Sequence, residues 1–224
     1  MKIVVAPDSF KESMSAIEAS EAIFEALDAY GIESVLTPLA DGGEGTLETL
    51  VSAMNGKIET YWVKGVRLEE RAVAVGYVDD IAIIECAKVC GLELLTEDQK
   101  NPYNTSTYGL GELILKALDH HVKKLMICLG GSATNDGGIG MMSALGVQFL
   151  DEHNKNVMPT MAGLAHIQTI DVSLLDERLK NVEIIGVCDV TNPLCGDNGA
   201  TYIYGGQKGV KQAEMATIDK AMKD

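Results

Sequence analysis

Residues 2–54 read KIVVAPDSFKESMSAIEASEAIFEALDAYGIESVLTPLADGGEGTLETLVSAM. The opening run, residues 2–6, is apolar and short, as suits a buried strand. Ser15-Ala-Ile-Glu18 fits a capping box, and Ile17, Ala22, Ile23, Ala26 and Leu27 follow at helical spacing. Gly31 is a fitting stop. Residues 33–39 suggest a second strand. Gly42–Gly45 then open a second helix, whose apolar face is Leu47, Leu50, Val51 and Met54. Strand and helix alternate, which is the pattern of a parallel sheet covered by helices, so the expected fold class is α/β.

The texture changes downstream. Residues 58–64 and 70–78 alternate or run β-branched, and 81–86 is a short apolar strand, with Asp79-Asp80 as a hairpin turn. The shift near Gly65 is the best candidate for a domain boundary. A helix is expected over 107–120 and a strand over 124–129. A second glycine-rich loop, 130–138, then leads into a helix containing Met141, Met142, Ala144 and Leu145. Further strands are expected at 183–188 and 200–204, and a helix at 213–222.

The chain has 224 residues, enough for one or two domains. Apolar residues make up 46% and charged residues 23%, an ordinary globular balance that argues against global disorder. No apolar run is long enough for a membrane span. The N-terminus reaches Pro7 and Asp8 too soon for a secretory segment, so the cytoplasm is the expected compartment. Net charge is −15, a surface that repels nucleic acid. An anionic ligand therefore needs local donors. The five cysteines, with no C-x-x-C pair, suggest neither a disulfide framework nor a zinc site. Cys86, Cys128 and Cys188 lie in apolar runs and are expected as reduced core residues. The four histidines show no ligand spacing, and His120 and His121 end a helix.

Five polar clusters are candidates for chemistry, four of them at expected strand ends. In Asp8-Ser9-Phe10-Lys11, Asp8 can position a proton and Lys11 can hold an anion, or the segment is a plain turn. In Asp41-Gly42-Gly43-Glu44-Gly45, the glycines admit a ligand to the backbone, and Asp41 is either a ligand or a helix cap. Residues 130–138, GGSATNDGG, offer a phosphate cradle at a helix N-terminus. They are neither a Walker A loop nor G-x-G-x-x-G, which counts against a dinucleotide dehydrogenase. Asp189 ends a strand where a carboxylate can orient a hydroxyl, or it holds the Asn192-Pro193 turn. Cys195 has no nearby histidine to activate it. Gly205-Gly206-Gln207-Lys208-Gly209 adds one cation. Clusters repeated at strand ends point to one ligand cleft.

Six ordered segments together, 6–13 (APDSFKES), 40–46 (ADGGEGT), 107–109 (TYG), 130–138, 188–196 (CDVTNPLCG) and 207–209 (QKG), resemble the signatures of the type-1 bacterial glycerate kinases. The resemblance implies transfer of the γ-phosphoryl of ATP to D-glycerate, giving 2-phosphoglycerate or 3-phosphoglycerate, with Mg2+. It implies two α/β domains with the site between them. One is Rossmann-like with a parallel sheet and is built from both chain ends; the other is inserted and mixed α/β. Residues 1–64 would then belong to the first and 65–224 to the second. Gly206 stands where the family has Pro. The family's C-terminal third, with its Gly-Ala-Gly-rich and Thr-Gly-Glu-Gly segments, has no counterpart here. Part of the ATP site is therefore expected to lie outside this chain.

On that footing residue chemistry assigns expected roles. Asp189 orients or deprotonates the glycerate hydroxyl. Lys11 and Lys208 neutralise carboxylate or phosphate charge, with Asp8, Ser9 and Asn192 on the substrate. Gly130, Gly131, Ser132, Thr134 and Asn135 bind phosphate oxygens, and Asp41, with Asp8 as its alternative, holds Mg2+. Other hydroxy-acid kinases and a binding-only module remain as alternatives, and a homodimer is left open.

Overall fold

The computed structural model describes residues 2–10 and 13–223. In chain order the elements are β1 (Lys2–Val5), α1 (Ala16–Asp28), β2 (Glu33–Leu36), α2 (Thr46–Ala53), β3 (Lys57–Lys64), β4 (Glu70–Val78), β5 (Ile81–Glu85) and α3 (Cys86–Cys90). There follow α4 (Tyr108–Asp119), β6 (Lys124–Cys128), α5 (Ile139–Ala144), β7 (Gln148–Leu150), α6 (Met161–Leu164), β8 (Thr169–Asp171), β9 (Glu183–Val187), α7 (Ala200–Tyr204) and α8 (Met215–Lys223). The capping box at Ser15 and Glu18 forms as the sequence suggests.

The central sheet runs β3-β4-β5-β6-β9. β3, β4 and β5 are antiparallel neighbours, whereas β5, β6 and β9 are parallel. A parallel pair, β1–β2, and an antiparallel pair, β7–β8, stand as separate small sheets. The α/β class is as expected. β5 reads as an unbroken apolar run because both its faces are covered. Ala82 and Ile84 pack under α4 with Leu113, Ile114 and Ala117. Ile83 points the other way, to Leu47 and Val51 of α2. A third cluster joins Phe149 of β7, Leu164 of α6 and Ile218 of α8.

Three expectations change. Gly65 lies at the turn of the β3–β4 hairpin, whose register runs from Lys57↔Tyr77 to Lys64↔Glu70. A division after residue 64 therefore falls within one hairpin, and the change of texture marks where parallel order gives way to antiparallel. Residues 200–204, expected as a strand from their β-branched and aromatic content, form α7. There the backbone closes local bonds, Ile203 N–H to Gly199 O and Gly205 N–H to Thr201 O. Cys188, expected in the core, is exposed, because it follows β9 at the open edge of the sheet. Cys86, Cys90 and Cys128 are buried thiols. Among the described residues no helix is long and apolar enough to cross a membrane.

Candidate active site

The parallel strands β5, β6 and β9 end together, and the glycine-rich loops meet at that end. Gly130 N–H donates to Gly42 O at 3.0 Å, and Leu129 N–H donates to Val187 O at 3.0 Å. Gly42 has a positive φ of 89°, and a Cβ there would lie 2.8 Å from Val187 O. Only glycine allows this approach. Gly42→Ala should therefore cost about 3 kcal/mol, combining left-handed strain with a backbone clash. Gly45 also has positive φ, 83°, but open space at its Cβ position. Gly45→Ala should cost only about 1 kcal/mol. Equal losses in urea titration would show that the approach to β9 carries no weight.

A cleft of about 530 Å³ lies beside these loops and is lined by Ser9, Phe10, Asp41, Gly43, Gly45 and Gly131, among others. Three of the segments singled out in the sequence thus share one cleft. A second cleft, of about 550 Å³, is lined by Phe149, Leu164, Ile167, Lys220 and Met222 and touches Gly137, Gly138 and Leu194 of those segments. The first gathers three of the singled-out segments, and Glu18, Glu44 and Glu93 line it as well.

The candidate residues divide within this frame. Asp41 lines the cleft, exposed, and its Oδ1 accepts from Gly43 N–H at 2.8 Å. Ser9 lines it too, and its N–H donates to Asp8 Oδ1 at 2.7 Å. Asp8 is exposed. Gly131 lines the cleft, and Gly130 packs against Gly43. Lys11 lies outside the described residues. Asp189 is exposed just beyond β9, at the same sheet end, but does not line the cleft.

Five candidates, Lys208, Ser132, Thr134, Asn135 and Asn192, are turned inward or are already engaged. Lys208 is buried, and its Nζ donates to Thr134 O at 2.8 Å and to Ser132 Oγ at 3.1 Å. It braces the 130–138 loop from behind. Thr134 and Asn135 are buried, and Asn135 Nδ2 donates to Thr201 Oγ1 at 3.2 Å. Asn192 closes its own loop, accepting from Tyr204 OH at 2.6 Å and donating to Asn198 O at 3.0 Å.

Burial pushes the Lys208 ammonium below the usual lysine value of 10.5. The folded chain then holds this proton less tightly than the unfolded chain. Stability should rise as pH climbs from the depressed value toward 10.5 and fall as pH drops through it. A Lys208→Met variant should lack this component. Parallel stability–pH curves for the two proteins would refute it.

At both glycine-rich loops a carboxylate of the protein occupies the helix start, including that of the 130–138 loop expected to cradle phosphate. Asp136, buried, fills the start of α5. Its Oδ1 accepts from Gly138 N–H at 3.0 Å, and its Oδ2 accepts from Gly140 N–H at 3.3 Å, Thr107 N–H at 2.9 Å and Thr107 Oγ1 at 2.8 Å. Met141 N–H is taken by Thr107 Oγ1 at 2.8 Å. Glu85, fully buried at the end of β5, fills the start of α2. It accepts from Gly45 N–H at 3.2 Å and Leu47 N–H at 3.1 Å. Burial raises the Glu85 carboxyl above the ordinary range, with the Leu47 N–H opposing. The protein's own carboxylates thus hold amides at both helix starts, the Gly138 N–H of the 130–138 loop among them. Glu85 and Asp136 were missed as site residues. For Glu85 the available signal was a lone acid closing an apolar strand, since a buried charge requires designated partners.

The description "Glycerate kinase family" matches residues 3–224. The glycerate kinase of Bacillus subtilis is 46% identical over 98% of this chain and 59% of its own length. The glycerate 2-kinase of Escherichia coli is 44% identical over 98% of this chain and 58% of its own. A crystal structure of a glycerate kinase 2 candidate from Salmonella typhimurium LT2 superposes with a TM-score of 0.89 at 41% identity, covering 100% of this chain and 61% of that one. The chain thus spans about three-fifths of the length of these relatives. With the family match running over residues 3–224 and a relative 46% identical over 98% of it, the chain belongs to the glycerate kinase family.

Proposed function

We propose that the protein carrying this chain phosphorylates D-glycerate with ATP in the cytoplasm, and that the cleft at the ends of β5, β6 and β9 is its acceptor side. The observation that carries the reading is the meeting of the Ser9, Asp41 and Gly131 segments in one cleft, in a chain of this family. The glycerate hydroxyl oxygen bonds to the γ-phosphorus, the bond to the β-phosphate oxygen breaks, and ADP leaves. Asp189 takes or orients the hydroxyl proton. Lys11 and the Gly131 backbone face the anionic groups, and Lys208 braces the loop from behind. Asp41 commits one carboxylate oxygen to Gly43 and offers the other to Mg2+. Among the described residues no group of three or more acidic, His or Cys side chains could hold a metal, which suits an ion bound chiefly by phosphate and water. When bound, Mg2+ supplies charge neutralisation at the phosphates.

The name of the Escherichia coli relative favours the 2-hydroxyl as acceptor. The two-unit organisation is part of the proposal, with its edge moved ahead of β3 because β3 pairs with β4. For the 224-residue chain alone, the share of its relatives' length that it spans favours binding without turnover. A coupled ADP-release assay with D-glycerate, ATP and Mg2+ tests both, run on this chain beside the complete gene product. Turnover in the complete product, with phosphorus NMR placing phosphate on C2, is expected. A folded complete product that releases no ADP and binds no glycerate would overturn the assignment.

A further inference from the structure

α2 begins on Gly45, whose left-handed conformation requires glycine and which therefore has no side chain to cap the helix. The cap comes from elsewhere. Glu85 reaches in from the end of β5, 40 residues away from Gly45, and takes the Gly45 and Leu47 N–H groups. A cap that served helix stability alone needs no charge carried to full burial, because buried carboxylates are costly and a neutral acceptor is cheaper. The neighbouring ammonium, Lys88, is itself paired with Glu48 at 2.9 Å. The Glu85 link does something a local cap cannot do: it ties the Gly42–Gly45 loop to the same strand end that sets the cleft. That loop touches Gly130 through Gly42 and presents Asp41 and Gly43 to the cleft.

We propose that Glu85 is a positioning residue for phosphoryl transfer, fixing the 42–45 loop against Gly130 and so setting the separation between Asp41 and Gly131 across the cleft. The proposal rests on the kinase reading above. Displacement of a substrate-positioning loop by about 1 Å is enough to cost about a hundredfold in rate.

The test uses the complete gene product with Glu85→Gln and Glu85→Ala, and with Leu164→Ala as a stability control in the α6–α8 cluster. Glu85→Gln keeps one acceptor and should retain the wild-type melting temperature to within about 4 °C. Its kcat should fall about 10- to 100-fold, while KM for glycerate and ATP moves less than about threefold. Glu85→Ala should lose more in kcat, making Gln a partial rescue. Leu164→Ala, however destabilised, should keep kcat per folded molecule. Hydrogen exchange at the Gly45 and Leu47 amides should quicken at least about tenfold in both Glu85 variants and not in Leu164→Ala. A folded Glu85→Gln with kcat within twofold of wild type, or with unchanged exchange at those amides, overturns the proposal and leaves the kinase reading standing. A kcat loss matched by the control at equal stability also overturns it. A wild-type product silent toward glycerate and ATP overturns the kinase reading and the proposal with it.

Discussion

Asp189→Asn in the complete gene product should lower kcat by about 10²- to 10⁴-fold, the range spanned by removal of a general base. The residue is exposed beyond β9, so the change should leave stability within about 0.5 kcal/mol. KM for glycerate should move little, because the neutral amide still offers an oxygen to the hydroxyl. Loss of kcat at constant fold and constant KM is the signature of a group acting only in the transition state. Steady-state kinetics beside a melting curve checks it, and near-normal turnover removes Asp189 from the mechanism.

The largest expected effect on stability belongs to Asp136→Ala. Four donors converge on that buried carboxylate, three of them backbone N–H groups at the starts of α4 and α5. Each donor left buried without an acceptor costs about 1–3 kcal/mol, and part of the set will find water. A total near 4 kcal/mol follows for alanine, and about 2 kcal/mol for Asp136→Asn, which keeps one carbonyl oxygen. Urea unfolding with an unchanged m-value measures both. An alanine variant within 1 kcal/mol of wild type would mean that the network does not hold the loop.

Much of this was legible from the chain itself. The apolar run of β5, the alternation of β3 and β4 and the capping box of α1 each stated their element, because burial on two faces, on one face, or at a helix start selects different residue spacings. The glycine-rich segments also declared that backbones would meet there. What they could not declare was who would occupy the donors they exposed. Glu85 and Gly45, or Asn135 and Thr201, are neighbours only after the sheet is assembled. Lys208 shows the same limit: a lone lysine in a glycine-rich loop reads as a cation for a ligand, yet folding turns it inward to Thr134 and Ser132. Cys188 was misplaced for want of strand order, since an apolar strand is deeply buried only where other strands flank it. In α7, composition favoured a strand, and local closure of the backbone with a buried Thr201 favoured a helix.

The polar ties that shape the cleft are long in sequence. Glu85 reaches back 40 and 38 residues, Asn135 reaches forward 66, and Lys208 reaches back 74 and 76. Each of these ties closes a large loop of chain, and closure of that kind follows the local elements that make it affordable in entropy. The cleft is therefore a late product of folding and an early casualty of loosening. Under mild denaturant its geometry should be lost before the helices and hairpins, which hydrogen exchange at the Gly45 and Leu47 amides would report.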